Sequence, residues 1–431
     1  MKKLFVLLTV LLALMPAAVF AGGGKESSGS SDGPVTIKYY TWEDSAHKPL
    51  IDAFNATHDD IQVDAEILPS ANYEARLNTL LAGRVEMDAF MEKRQTDMFV
   101  QYNNGYIEPL NDYIVEGTPA DGAVKAYESQ MVYNGDILGI PWRGGAYYVY
   151  YNKKVFDACG VPYPSEYIEN GEWTWDKFVE VSKALTNAEL GTVGSCIYIW
   201  ANGTMFIEAQ NHKPIIDADG NIDFDDGFLR MLQIKKELEG AGAMVPLTDM
   251  KVTGTHYSNL FYNGNLGMLI IGEWFPGQMT TGERDGLLNG FTAADYGICR
   301  LPCDAPTYTT LGASTNNHVT SYSKNKEAAY EFISWMAGPE AAAIAAGLGV
   351  LPAVATDEVR EILAESIPDD GTSLNYFLED KVNFTPNFGP YGSATEAMID
   401  TFQESYLLGN IPDDQVNAQF QANLEQIVAT N

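Results

Sequence analysis

Val35-Thr-Ile-Lys-Tyr-Tyr-Thr-Trp42 and Ile61-Gln-Val-Asp-Ala-Glu-Ile67 flank a segment in which Leu50, Ile51 and Phe54 recur at helical spacing. Val35, Ile37 and Tyr39, then Ile61, Val63, Ala65 and Ile67, alternate with polar or outward-facing partners, the period of a half-buried strand. Strand–helix–strand order predicts an α/β fold with helical crossovers and mostly parallel sheets. The pattern continues along the chain. Thr174 is placed to cap a helix carrying Phe178, Val181, Ala184 and Leu185 on one face. Another helix carries Ala329, Phe332, Ile333 and Met336 and is stopped by Gly338-Pro339. No internal repeat or heptad is visible.

A chain of 431 residues has room for two or three domains with large cores. Hydrophobic residues make up 46% and charged residues 19%, a composition that argues against disorder over most of the length. The net charge of −32 gives phosphate backbones no attraction, so nucleic acid and anionic membrane surfaces are not expected as partners.

The first 21 residues read as a cleavable secretory signal. Lys2 and Lys3 precede an apolar run from Leu4 to Leu14, too short to span hydrocarbon, and Val19-Phe20-Ala21 offers a small-residue cleavage site. Residues 22–34 begin with a Gly/Ser-rich stretch, Gly-Gly-Gly-Lys-Glu-Ser-Ser-Gly-Ser-Ser-Asp-Gly, expected to be a flexible tether. The first Cys is Cys159, so no lipid anchor is expected at the cleavage site, and the mature protein is expected to diffuse freely in a periplasm. Export permits disulfides, but four cysteines make no disulfide scaffold. Cys299 and Cys303, or Cys159 and Cys196, either pair or remain buried thiols.

The sequence holds no HExxH, GxSxG, Walker A or strand-associated GxGxxG. The histidines at 47, 58, 212, 256 and 318 are scattered and read as surface or core residues. Asp217-Ala-Asp219-Gly-Asn221-Ile-Asp223 lacks the Gly and Glu positions of an EF-hand and is expected to form a hairpin turn. Adjacent tyrosines at 147, 148, 150 and 151 sit in one strand, face alternately opposite ways and are read as core rather than as a metal site. No catalytic residue, metal site or cofactor is therefore expected.

Aromatic placement does carry a signal. Trp42, Trp142, Trp200 and Trp274 each stand where a strand ends or a turn begins. Ligands of open α/β sheets bind beyond the carboxyl ends of strands, and an indole there offers an apolar face to the C–H surface of a sugar.

The chain from Val35 onward resembles the family 1 extracellular solute-binding proteins of ABC importers, the maltose-binding-protein-like group. Leu138-Gly-Ile-Pro141, Val149-Tyr-Tyr-Asn152-Lys-Lys-Val-Phe156 and Thr174-Trp175 match its motifs in order and spacing. Asn263-Gly-Asn-Leu-Gly-Met268 followed by Gly272-Glu-Trp274 does so too, with Gly267 where Ala is common. The resemblance implies a two-lobed periplasmic-binding-protein fold, type II-like, with three chain crossings near Trp142–Gly145, Tyr296–Pro302 and Leu348–Pro352. The N-terminal lobe would hold 35–142 and 302–348, and the C-terminal lobe 145–297 and 353–431.

By position, the resemblance implies ligand contacts from Trp42, Glu43 and Asp44, from Lys93 and Arg94, and from Trp142 and Arg143 at the hinge. In the second lobe it implies Tyr198, Trp200 and Trp274, with Asn387, Phe388 and Tyr391 in a late segment. The expected function is capture of a sugar or oligosaccharide and delivery to two permease subunits by a monomeric, non-enzymatic protein. Lys93, Arg94 and Arg143 leave open an acidic saccharide, since a guanidinium holds a carboxylate bidentately; Arg143 pairing with Glu43 or another acid would instead favour neutral sugars. Ligand presentation to a membrane sensor, polyamine binding and glycoside hydrolysis or lysis are the rival readings.

Overall fold

The computed structural model describes residues 33–93, 95–210, 215–217, 219–312, 314–379, 382–383 and 389–430. The expected signal, nearly all of the tether, and the candidate ligand residues Arg94, Asn387 and Phe388 lie outside the described residues.

Among the described residues, nine strands build the two larger sheets: β1 Val35–Trp42, β2 Ile61–Leu68, β3 Ala89–Glu92, β4 Ile140–Arg143, β5 Tyr147–Asn152, β6 Val193–Ile197, β7 Leu266–Gly272, β8 Tyr296–Arg300 and β9 Thr315–Val319. The first sheet runs β2-β1-β3-β9-β4 and the second β8-β5-β7-β6. β1 pairs in parallel with β2, from Val35 opposite Ile61 to Trp42 opposite Leu68, and with β3. β9 is antiparallel to both β3 and β4. In the second sheet β5 is antiparallel to β7 and β8, and only β6 and β7 run parallel. The sheets are thus mixed, which corrects the expectation of mostly parallel ones. The physical reason is that several strands enter their sheet from a long excursion through the other part of the chain, and no helical crossover fixes their direction.

Each sheet has its own apolar core. Ile37, Tyr39, Phe54, Phe90, Trp142, Phe332 and Ile333 pack in the first. Around the second sheet, Tyr147, Val149 and Tyr151 face one core while Tyr148 and Tyr150 face the other, as strand alternation requires. The Thr174 hydroxyl caps the helix Trp175–Ala184, accepting from the Lys177 N–H at 3.2 Å. Phe178, Val181 and Leu185 are buried as expected, whereas Ala184 is exposed. The helix Lys326–Met336 buries Ala329, Phe332, Ile333 and Met336, and Pro339 after Gly338 opens the next helix.

Gly267 occupies a position where a side chain has no room. A Cβ there would lie 2.8 Å from the Gly194 carbonyl oxygen on the neighbouring strand and 2.8 Å from Leu185 Cδ1. At Asp219-Gly220-Asn221 the chain forms the expected hairpin turn, with Gly220 at φ +82° and the Asp217 carboxylate accepting from the Asp219 and Asn221 N–H groups. All four cysteines are free thiols, Cys196 and Cys299 buried.

Candidate functional site

Of the strands in parallel pairs, β1, β3, β6 and β7 end on Trp42, Glu92, Ile197 and Gly272. Most of the expected ligand residues follow at once, where the backbone leaves the ladder and side chains point past the sheet edge.

On the second lobe these residues form an aromatic wall. Tyr198 meets Trp200 edge-to-face at 5.0 Å, and Trp200 lies 5.8 Å from Tyr257 and 5.9 Å from Trp274. Trp200 and Trp274 are half-buried and keep part of their ring surface outward. Tyr257 is the centre of the wall: Trp274 Nε1–H and Gln278 Nε2–H donate to its oxygen at 2.8 and 2.9 Å. With both acceptor positions engaged, its own O–H is left to donate. Burial holds that hydroxyl well above the usual phenol range, so it stays protonated. Tyr147, from the start of β5, packs at 6.0 Å on Trp274 and shares a hydrogen bond with the Asn202 amide.

On the first lobe Trp42 and Trp142 are almost wholly buried. Their faces are occupied: His47 and Tyr73 pack on Trp42, with Lys93 Nζ 5.4 Å above its ring, and His47 and Arg143 lie over Trp142. Lys93 also donates to the Ser70 hydroxyl and carbonyl at 2.8 and 3.0 Å. These indoles back the site and do not present an open face. Glu43 is exposed.

Asp44, Arg143 and Glu273 join the two halves. Arg143 Nη1 lies 3.3 Å from Asp44 Oδ2, and Arg143 Nε lies 3.2 Å from Glu273 Oε1. Side-chain exposure is 6% for Arg143, 2% for Glu273 and 18% for Asp44. Burial pushes the Asp44 carboxyl up, but His47, Arg143 and the Ala46 N–H overcome it and hold it at about 2. Burial dominates for Glu273 and raises it to about 8 despite Arg143. Burial, followed by the charge of Lys93, pushes His256 below its ordinary range, so the first lobe's Lys93 acts on the second lobe's wall.

Sequence reasoning therefore brought Asp44, Lys93, Arg143, Tyr198, Trp200 and Trp274 to one region. Tyr391 has no ring contact with the wall among the described residues: a Cβ at Gly220 would lie 3.2 Å from its hydroxyl, and it packs on the second-lobe core on which Trp274 also packs. The reading missed Tyr257, Gln278, Asn202 and Glu273. Glu273 had a signal, because it lies inside the Gly272-Glu-Trp274 motif. Tyr257 and Gln278 had none, since each belongs to a helix whose sequence resembles ordinary core.

Residues 40–343 match the family model described as bacterial extracellular solute-binding protein. An arabinooligosaccharide-binding protein of Halalkalibacterium halodurans is 27% identical over 183 residues, 41% of this chain and 38% of that protein. A binding protein of Brucella abortus is 25% identical over 304 residues, 66% of each chain. These matches span less than two thirds of either relative. Among solved structures, a sugar transporter from Rhizobium etli in an open conformation superposes with a TM-score of 0.72 at 26% identity, covering 91% of this chain and 99% of that one. A substrate-binding protein of Listeria monocytogenes in complex with cycloalternan gives a TM-score of 0.75 at 22% identity, covering 92% and 99%.

Proposed function

Since this chain belongs to the bacterial extracellular solute-binding protein family, we propose that it captures a neutral sugar or oligosaccharide between its lobes and delivers it to the permease subunits of an ABC importer. The observation that carries the reading is the wall of Tyr198, Trp200, Tyr257 and Trp274, an apolar surface with a phenolic donor at its centre. Stacking falls to Trp200 and Trp274, and Asp44, Lys93 and Tyr257 meet hydroxyl groups. A uronate is disfavoured because the Arg143 guanidinium is already paired with the Asp44 carboxylate and faces the Glu273 carboxyl group. An arabinooligosaccharide-binding relative and a sugar transporter among the similar structures point the same way.

The hinge follows from the same reading. We place crossings at 143–146, 311–315 and 351–353. Support for the second comes from residues 301–311: Leu301 and Leu311 belong to the second lobe's core, Gln210 donates to the Pro302 and Thr309 carbonyls, and Thr310 donates to that of Tyr147. On this support we place the lobe boundary at about 311 rather than at 302. Export by a cleaved leader, a periplasmic location and action as a monomer complete the proposal. Among the described residues no helix is long and apolar enough to cross a membrane.

A thermal-shift screen with neutral oligosaccharides, oligouronates and polyamines tests this. A ligand at 100 times its Kd adds about 2.7 kcal/mol to stability. Shifts confined to neutral saccharides are expected. A shift with polyamines alone would remove the carbohydrate assignment and leave the fold intact.

A further inference from the structure

We propose that Glu273 is a positioning residue that acts through Arg143 on Asp44 and makes closure of the two lobes depend on a proton. The proposal rests on the solute-binding reading only in supposing that the lobes open and close. Asp44 follows β1 of the first sheet, Glu273 follows β7 of the second, and Arg143 ends β4, where the chain leaves the first sheet. The three side chains form one nearly dry bridge between lobes, which also meet where the Thr96 hydroxyl donates to Glu396 at 3.3 Å.

One guanidinium faces two carboxyl groups. With both ionised the bridge carries a net negative charge inside the protein, and Glu273 Oε2 is buried with no hydrogen-bond partner among the described residues. A buried oxyanion without a donor is costly, whereas a protonated Glu273 leaves a neutral Asp44–Arg143 pair. The groups facing Glu273 are Arg143 from β4, Asp44 from the first lobe, and Tyr147 and Tyr150 from β5. Arg143 and, more weakly, the backbone N–H of Glu273 itself favour its charge, and burial outweighs both. Opening carries Asp44 away with the first lobe and lets water reach Glu273, which restores an ordinary carboxyl.

The sign follows from linkage. Glu273 titrates near 8 in the joined state and lower when hydrated, so the joined state binds the proton more tightly. The joined-to-open ratio falls as pH rises towards about 8, by up to about tenfold per unit, and is level above it. His47 and His256 are pushed below 6.5 and remain neutral through this window. Lys235, lowered to about 8, lies buried in the second lobe against Gln403 and contributes alike to wild type and variant.

The test uses ligand-free protein, so it is independent of which solute binds. Small-angle scattering from about pH 6.5 to about pH 9.5 is expected to show wild type expanding as the pH approaches 8, with Glu273→Gln compact throughout. Equal pH profiles for the two proteins, or no expansion of wild type, would overturn the proposal. Should Glu273→Gln fail to fold, infrared difference spectra of unaltered protein decide: loss of a protonated-carboxyl C=O band near pH 8 supports it, and no such band overturns it. A failed saccharide screen leaves both readouts standing.

Discussion

Trp274 shows how much one side chain holds at this site. Its ring closes the wall beside Trp200 and packs on Tyr147, while its Nε1–H fixes the Tyr257 phenol. Trp274→Ala removes a stacking surface and frees the donor that orients Tyr257. Calorimetry with a saccharide identified by the screen is expected to show affinity weakened about 10- to 100-fold, the range of a buried aromatic anchor. Trp142→Phe changes a residue that backs the site from the core, and a loss of affinity as large as that of Trp274→Ala would contradict the division between wall and backing. The sequence marked all four tryptophans alike by their place at strand ends. It could not separate them, because whether an indole face is open depends on what packs on it: His47 and Arg143 cover Trp142, whereas Trp274 stays half-buried.

At the scale of the element, the parallel pair β6–β7 explains the departure at Gly267. Val193 stands opposite Leu266 and Ser195 opposite Met268, so Gly267 and Gly194 face each other across the pair. Gly194 is itself hemmed in, since a Cβ there would lie within 2 Å of the Ser182 carbonyl oxygen. Two glycines let the helix Trp175–Ala184 lie close on this sheet. Gly267→Ala, the residue common in the resembling proteins, is expected to destabilise the fold by about 1–3 kcal/mol through overpacking, measured by urea unfolding. An unchanged midpoint would show that the Gly194 carbonyl can move aside. Helix and strand identities were largely legible at this scale, because alternation and helical spacing are local properties of the chain. Strand direction was not: β5 and β8 pair antiparallel because of where distant segments return, which no local pattern records.

The whole molecule carries a net charge of −32, and this sets its response to salt. Raising ionic strength from about 0.01 M to about 0.15 M shortens the Debye length from about 30 Å to about 8 Å and weakens self-repulsion. The thermal midpoint is expected to rise with salt, while affinity for a neutral saccharide should change by less than about twofold. A steep loss of affinity with salt would identify a charged ligand and contradict the neutral-sugar reading. The acidic surface itself says nothing of the fold.

The sequence by itself determined the α/β class, the solute-binding family and the strand-end positions from which a site is built, because periodicity and motif order are written along the chain. It also brought Asp44, Arg143 and Trp274 into one short group of candidates. Only the tertiary structure decided which indoles stay open, that residues 301–311 pack with the second lobe, and that Arg143 is shared between Asp44 and Glu273. The last two outcomes depend on contacts between residues 92 to 163 positions apart, and on burial, which turns an ordinary glutamate into a carboxyl that titrates near 8.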